Sequence, residues 1–200
     1  MFSRWLLPLL LAAGLILAVR QWCVASYRIS TPAMEKALRT GDFVLANKWT
    51  GRMPERNRTV LFTAPPLRNA ARSPLLVSRC AGTPGDTIEI EAEEGYTRKV
   101  TLPRRGKAYR LDAYSLPFCR DAIMQETGGK AQFRNGKLYM DGRETLFFYF
   151  AHDYYWLLSD NPEAAVDSRH LGIIPEDHLV GSVFFIWFSA DRNRAFTRVR

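Results

Sequence analysis

The sequence predicts a mostly β protein carried by one N-terminal membrane helix, and three observations support this. Short runs rich in β-branched and aromatic residues recur along the chain, each bounded by Gly, Pro, Asn or Asp. Two dipeptides suited to two-residue hairpins, Asn135-Gly136 and Asp141-Gly142, are flanked by Phe133, Leu138 and Tyr139. Ahead of these lies Trp5 to Val19, a stretch without charge.

That first stretch is short for a span, which takes about 20 helical residues. Arg20 can snorkel, however, and Trp5 and Trp22 stand where interfacial aromatics belong. Three fates compete: a signal peptide cleaved after Cys23-x-Ala25, a lipoprotein signal, and an uncleaved anchor. Arg20-Gln21-Trp22 is too bulky and polar to precede a lipoprotein cysteine. An anchor over residues 1–25 is expected, because a strand-forming run follows it directly. The flanking charges, Arg4 on one side and Arg20 and Arg28 on the other, do not set its orientation.

Ser26–Thr31 and Asp42–Lys48 read as strands with a turn at Gly41-Asp42, and Gly51–Asn57 and Pro65–Ser73 as loops. Leu75–Cys80 is a short apolar strand stopped by Gly82-Thr83-Pro84-Gly85-Asp86, and Thr87–Glu91 resumes beyond it. From Glu93 to Thr145, Gly95, Pro103, Gly106, Pro117 and Gly128-Gly129 cut the chain into short pieces, read as a smaller β-rich insertion. Leu146–Phe150, Tyr154–Leu158 and Val180–Phe188 are expected to return to the main sheet. The domain reading is therefore an anchor (1–25), a core (26–92 and 146–200) and the insertion (93–145), with few helices. The aromatic runs Phe147–Phe150, Tyr154–Trp156 and Phe184–Phe188 read mostly as core.

Lys and Arg exceed Asp and Glu by 28 to 20, a formal charge of +8 that allows nucleic acid, anionic lipid or a plain basic surface. No nucleic-acid motif accompanies the excess, so no nucleic-acid partner is expected. The densest cluster, Arg98-Lys99 to Arg104-Arg105-Gly106-Lys107, reads as a solvated loop, with lipid headgroup contact as the second reading. Cys23, Cys80 and Cys119 lack metal-ligand spacing. Cys80 and Cys119 are either a disulfide or two buried thiols. No metal site, phosphate loop or other cofactor site is expected.

Three stretches, in order, carry a resemblance: Tyr27–Lys48 (YRISTPAMEKALRTGDFVLANK), Val77–Ile90 (VSRCAGTPGDTIEI) and Leu157–Ser182 (LLSDNPEAAVDSRHLGIIPEDHLVGS). Together they resemble the bacterial type I signal peptidases, serine–lysine peptidases of family S26 that remove signal peptides at the membrane surface. The resemblance implies a signal-peptidase-type β-sheet body, a cytoplasmic N-terminus, and a body on the periplasmic side of the inner membrane.

In that family a serine hydroxyl attacks the scissile carbonyl and a lysine amine, its pKa lowered by burial, takes the proton. The serine precedes the Met of a Ser-Met-x-Pro-Thr-Leu-like motif, and Ala33 stands there, before Met34. Lys36 and Ala37 also depart from the Pro-Thr. The lysine opens a Lys-Arg-x-x-Gly-x-Pro-Gly-Asp motif, and Ser78 stands there, with Arg79, Gly82, Pro84, Gly85 and Asp86 matching. A further serine that orients the lysine falls at Ala165. Asp160-Asn161 match a Gly-Asp-Asn start with Ser159 in place of the Gly, and the resemblance gives Asp167 and Arg169 a structural ion pair near the site. Thr31 falls where a hydroxyl lines the oxyanion hole.

Other groups that could rescue the chemistry are weakly placed. Ser30 lies on the opposite face from Ala33 if the strand continues, and Thr31 sits about 6–7 Å along the chain without a base. His152-Asp153 hints at a triad, but neighbours on a strand point apart. His170 and His178 read as surface histidines. If a groove persists, a peptide would add as a strand between Ser30, Thr31, Pro32 and Met34 on one side and Leu76, Val77 and Ser78 on the other. Three functions follow: a non-catalytic homologue that binds signal peptides, exported preproteins or an active peptidase paralogue at the membrane lipid; a peptidase with an atypical or mutated site; and a structural envelope protein.

Overall fold

Every strand pairing is antiparallel among the residues that the computed structural model describes, 8–12, 14, 23–49, 52–64, 74–91 and 96–199. Trp5, Arg20, Trp22 and most of the expected anchor, together with the expected loop 65–73, lie outside them. Residues 8–12 are helical, and Leu9, Leu10 and Leu11 are exposed. Among the described residues no helix is long and apolar enough to cross a membrane.

The main sheet has eight strands. It runs β1 (Val24–Arg28), β2 (Phe43–Asn47), β14 (Leu179–Phe188), β3 (Thr59–Thr63), β4 (Leu75–Gly82), β12 (Tyr154–Leu158) and β13 (Ile174–Pro175), and β15 (Thr197–Arg198) also pairs with β14. β14 is long enough to serve three partners. Leu179–Ser182 pairs with β3, Ser182–Phe188 with β2, and Phe185–Ile186 with β15.

The apolar runs lack strict alternation because both faces of the sheet are covered. In β3, Val60 and Phe62 enter one cluster with Cys80, Tyr155, Leu157 and Ile174, while Leu61 enters another with Met34, Val44, Ala46, Val77 and Ile186. In β12, Tyr155 and Leu157 face the first of these, and Tyr154 and Trp156 face a third.

That third cluster belongs to smaller sheets and a helix. β5 (Thr87–Glu91) pairs with β6 (Thr97–Thr101), and β9 (Lys137–Met140) pairs with β8 (Gln132–Arg134) and β10 (Arg143–Thr145). Asn135-Gly136 and Asp141-Gly142 make the two turns, each residue at positive φ, as two-residue hairpins require. Helix α1 (Ser115–Glu126) was not expected in this region. It buries Leu116, Cys119, Ala122 and Ile123 against Ile88, Leu102, Phe150 and Trp156. Pro117 does not break it, because the first-turn N–H groups have no partner inside the helix. Asp112 caps the start, accepting from the N–H groups of Tyr114 and Ser115 and from the Ser115 hydroxyl.

The expectation that Leu146–Phe150 returns to the main sheet is corrected. β11 (Phe147–Tyr149) pairs with β7 (Ala108–Arg110) as a separate ribbon. Phe150 alone of this run is fully buried, stacked edge-on with Tyr109, Phe148 and Tyr154, while Phe147 and Tyr149 are exposed.

A candidate peptide site built from a tight turn and a strand

β1 ends at Arg28, so the strand does not continue through Ala33. Thr31 is still extended, but Pro32, with its φ fixed by the ring, opens a 3-10 turn over Pro32–Met34. The Ser30 periodicity argument is thereby corrected: a turn, not a pleat, separates Ser30 from Ala33. Ala33 and Met34 point into the core, with 5% and 0% of their surface exposed. The Asn161 N–H donates to the Ala33 carbonyl at 3.0 Å, which ties this turn to the next motif-bearing segment.

The turn packs on β4. Along Leu75–Arg79 that strand is paired with β3, Ser78 standing opposite Val60. On its other edge β12 joins only from Arg79 onward, Leu158 opposite Arg79 and Leu157 opposite Cys80. The edge of Leu75–Ser78 that faces away from β3 therefore has no strand beside it among the described residues.

Ser78 has no exposed surface, and its hydroxyl lies 3.0 Å from that of Ser159, hydrogen-bonded to it. The Ser159 N–H donates to Asp167 Oδ2 at 2.9 Å. Asp167 is fully buried and accepts further from the Arg169 N–H at 3.0 Å and from Arg169 Nη2 at 2.5 Å. It also caps the short helix α2 (Ser168–Leu171), whose Ser168 hydroxyl accepts from the Leu157 N–H. Burial alone would push the Asp167 carboxyl up. The hydrogen bonds from Arg169 and Ser159 outweigh it and hold the carboxyl below its ordinary range.

Beside this pair, Arg79 forks onto Asp160, Nε to Oδ1 at 3.0 Å and Nη2 to Oδ2 at 2.8 Å, and gives Nη1 to the Asn57 carbonyl. Asp160 thus acts by locking β4 to the segment after β12.

The motif residues converge as follows. Ala33, Met34 and Val77 share one apolar cluster, with Ala165 packed against it. Ser30 and Pro32 are exposed, while Thr31 and Leu76 are half-buried, so these four form the accessible rim. Met34 and Val77 contribute no open surface. Ser159 is the residue the sequence reading missed as a partner; the signal for it was its place where the family motif has Gly. His152 and Asp153 diverge, Asp153 accepting from the Arg105 N–H and His152 lying 3.7 Å from Glu176. His178 Nδ1 bonds the Thr63 carbonyl. Cys80 and Cys119 are free thiols in different clusters, so they form no disulfide here. Among the described residues no group of His, Cys, Asp and Glu could hold a metal ion.

Chemically, a methyl at position 33 has no electron pair to attack with, and a hydroxyl bonded to a second hydroxyl is no base near neutral pH. What remains is a buried, fully hydrogen-bonded wall behind an open strand edge.

An antiparallel body that gathers these three segments around one turn and one strand edge is the arrangement of a signal-peptidase-type protein. A model of the family described as signal peptidase, peptidase S26, matches residues 2–188, and the chain belongs to that family. It is similar to Signal peptidase I of Aquifex aeolicus, 26% identical over 211 residues covering 87% of this chain and 79% of the relative. Signal peptidase I of Haemophilus influenzae is 23% identical over 247 residues, covering 95% and 70%. Signal peptidase I V of Bacillus subtilis is 24% identical over 183 residues, covering 90% and 95%.

Proposed function

We propose that this chain is a membrane-anchored, non-catalytic member of the signal peptidase family. It holds a signal peptide or another export-related segment in extended form, alone or beside an active peptidase. In this reading residues 1–25 anchor it in the bacterial inner membrane, and the body, a core with the 93–145 insertion, stands on the periplasmic side. The observation that carries the proposal is the buried Ser78–Ser159 hydroxyl pair. At the family's base position the chain has a satisfied, neutral hydrogen bond, and Ala33 supplies no nucleophile. The free edge of Leu75–Ser78 supports binding, since an extended peptide can complete it with main-chain hydrogen bonds.

The test is to offer the full chain in detergent a signal-peptide substrate carrying a photo-crosslinker. Saturable crosslinking to β4 without cleavage is the expected result. Cleavage by the unmodified chain that Thr31→Ala abolishes would overturn the non-catalytic reading. The combination Ala33→Ser, Ser78→Lys and Ser159→Gly restores the nucleophile and the amine and clears the facing hydroxyl, and it should gain cleavage. Neither crosslinking nor gained cleavage would leave the structural-envelope reading. Copurification with an active signal peptidase would separate a partner from a free-standing binder.

A further inference from the structure

The basic run from Arg98 to Lys107 is not one loop: Arg98 and Lys99 lie on β6, and the chain then turns into β7. A cleft of about 350 Å³ separates these two strands, with Lys99, Val100 and Thr101 on one side and Ala108, Tyr109 and Arg110 on the other. Each strand is paired on its far side only, β6 with β5 and β7 with β11. The alternation of an antiparallel ladder decides what their near edges present. Leu102 is bonded to Asp86 and Leu111 to Leu146, so the backbone groups of Lys99, Thr101, Ala108 and Arg110 point away from those partners and toward the cleft. Of the four carbonyls, that of Thr101 accepts from the Tyr109 hydroxyl at 2.7 Å, and that of Arg110 lies 3.2 Å from the Ser115 hydroxyl. The Lys99 and Ala108 carbonyls and the four N–H groups make no bond among the described residues.

The chain fills a gap of this kind itself, where β14 lies between β2 and β3. Two strand edges across a cleft call for a third backbone, and a lipid headgroup or a nucleic acid has no alternating N–H and C=O groups to supply. The charges give the composition of that backbone's side chains. Lys99 and Arg110 lie in the walls, Lys107 stands at the start of β7, and the Arg98 guanidinium lies 4.8 Å over the Tyr114 ring. Two carboxylates oppose them. Glu89 pairs with Lys99 at 3.4 Å, and Asp112 Oδ1 accepts from the N–H groups of Tyr114 and Ser115. Arg98, Lys107 and Arg110 make no ion pair among the described residues. We propose that the cleft between β6 and β7 takes an extended acidic segment of a partner protein as an added strand. Its backbone bonds to both edges, and its carboxylates stand against Lys99, Lys107 and Arg110. The site lies in the insertion and does not depend on the β4 edge.

The test titrates the full chain, in zwitterionic detergent, into fluorescein-labelled peptides and reads anisotropy. One peptide alternates Glu and Val, and the other alternates Lys and Val. The acidic peptide should bind saturably and the basic one should not. The acidic peptide N-methylated at every second residue keeps its carboxylates, lacks half its main-chain donors, and should lose binding. Amide hydrogen exchange should show protection gained at residues 97–101 and 108–110 when the acidic peptide is bound. Lys99→Ala with Arg110→Ala should weaken binding about fivefold or more. Both side chains are exposed, so the fold should survive the change. Lys130→Ala with Arg143→Ala removes the same charge elsewhere in the insertion and should leave the affinity unchanged. Equal binding of the N-methylated peptide, or equal losses in the two double variants, would overturn the cleft as a strand site. Equal binding of the basic peptide would overturn the acidic partner. Protection confined to residues 75–78 would overturn the cleft while leaving the β4 reading in place. Short-chain phosphatidylglycerol displacing the acidic peptide at a lower concentration would overturn it in favour of a lipid.

Discussion

Ser78 and Ser159 lie with their hydroxyls 3.0 Å apart, hydrogen-bonded, and both residues are buried. Removing one hydroxyl strands the other, at a cost of about 1–3 kcal/mol, while removing both strands neither. Ser78→Ala and Ser159→Ala should therefore each destabilise the protein more than half as much as the double variant. A double-mutant cycle by urea denaturation measures the coupling, and strict additivity would refute it.

Asp167 makes the same region sensitive to acid. Its carboxyl is held below the ordinary range in the folded state, so the unfolded chain binds a proton more readily. Its contribution to stability is complete above the usual carboxylate range and is lost as the pH falls through the lower, folded value. Asp167→Asn should lower the urea midpoint near neutral pH and shrink the drop in midpoint on acidification. Asp42 follows the same sign: burial raises its pKa, but bonds from Ser189, Arg39 and Arg194 lower it further.

Two glycines separate backbone approach from side-chain crowding. A Cβ on Gly181 would stand 2.5 Å from the Asn47 carbonyl oxygen, so β14 and β2 would have to part. On Gly82 it would meet methyl groups of Ile88 and Leu102 at 2.8 Å and the Trp156 Cβ at 3.3 Å, side-chain atoms of a packed core and not backbone. Gly82→Ala should cost about 1–3 kcal/mol, as overpacking does. Gly181→Ala should cost more, and equal urea midpoints would contradict the distinction.

The thiols report on folding. Burial pushes both Cys80 and Cys119 up to about 12, and neither has exposed surface. In the native chain at pH 8 a disulfide-exchange reagent should titrate Cys23 alone, and all three cysteines after unfolding. Two thiols missing from the unfolded count would reveal a disulfide.

In the main sheet β1, β2, β4, β12 and β14 were largely legible, because burial on one or both faces demands apolar, β-branched runs such as Phe43–Asn47 and Tyr154–Leu158, whereas β3, β13 and β15 were not named. The two hairpins were legible for a local reason, the positive φ that Asn-Gly and Asp-Gly accept. α1 was hidden by weighing Pro117 as a breaker, although Leu116, Cys119, Ala122 and Ile123 carry a helical spacing and Asp112 a cap. β11 went astray because an aromatic run says that it is buried somewhere, not which strand it pairs with. At the site, the motifs located Ala33, Ser78 and Asp167. The Ser78–Ser159 bond could not be read, since it joins side chains 81 positions apart.

β14 has one more consequence, for the order in which the protein is made. It lies between β2 and β3, strands that are neighbours in the chain but not in the sheet. Until residues 179–188 have emerged, β2 and β3 are left with a missing centre, and all of the body that precedes them carries open edges into the space where it folds. Closure must wait for the last long strand, so the newborn chain passes through a slow, association-prone stage in which a chaperone, or a peptide lent by a partner, can take the vacant place.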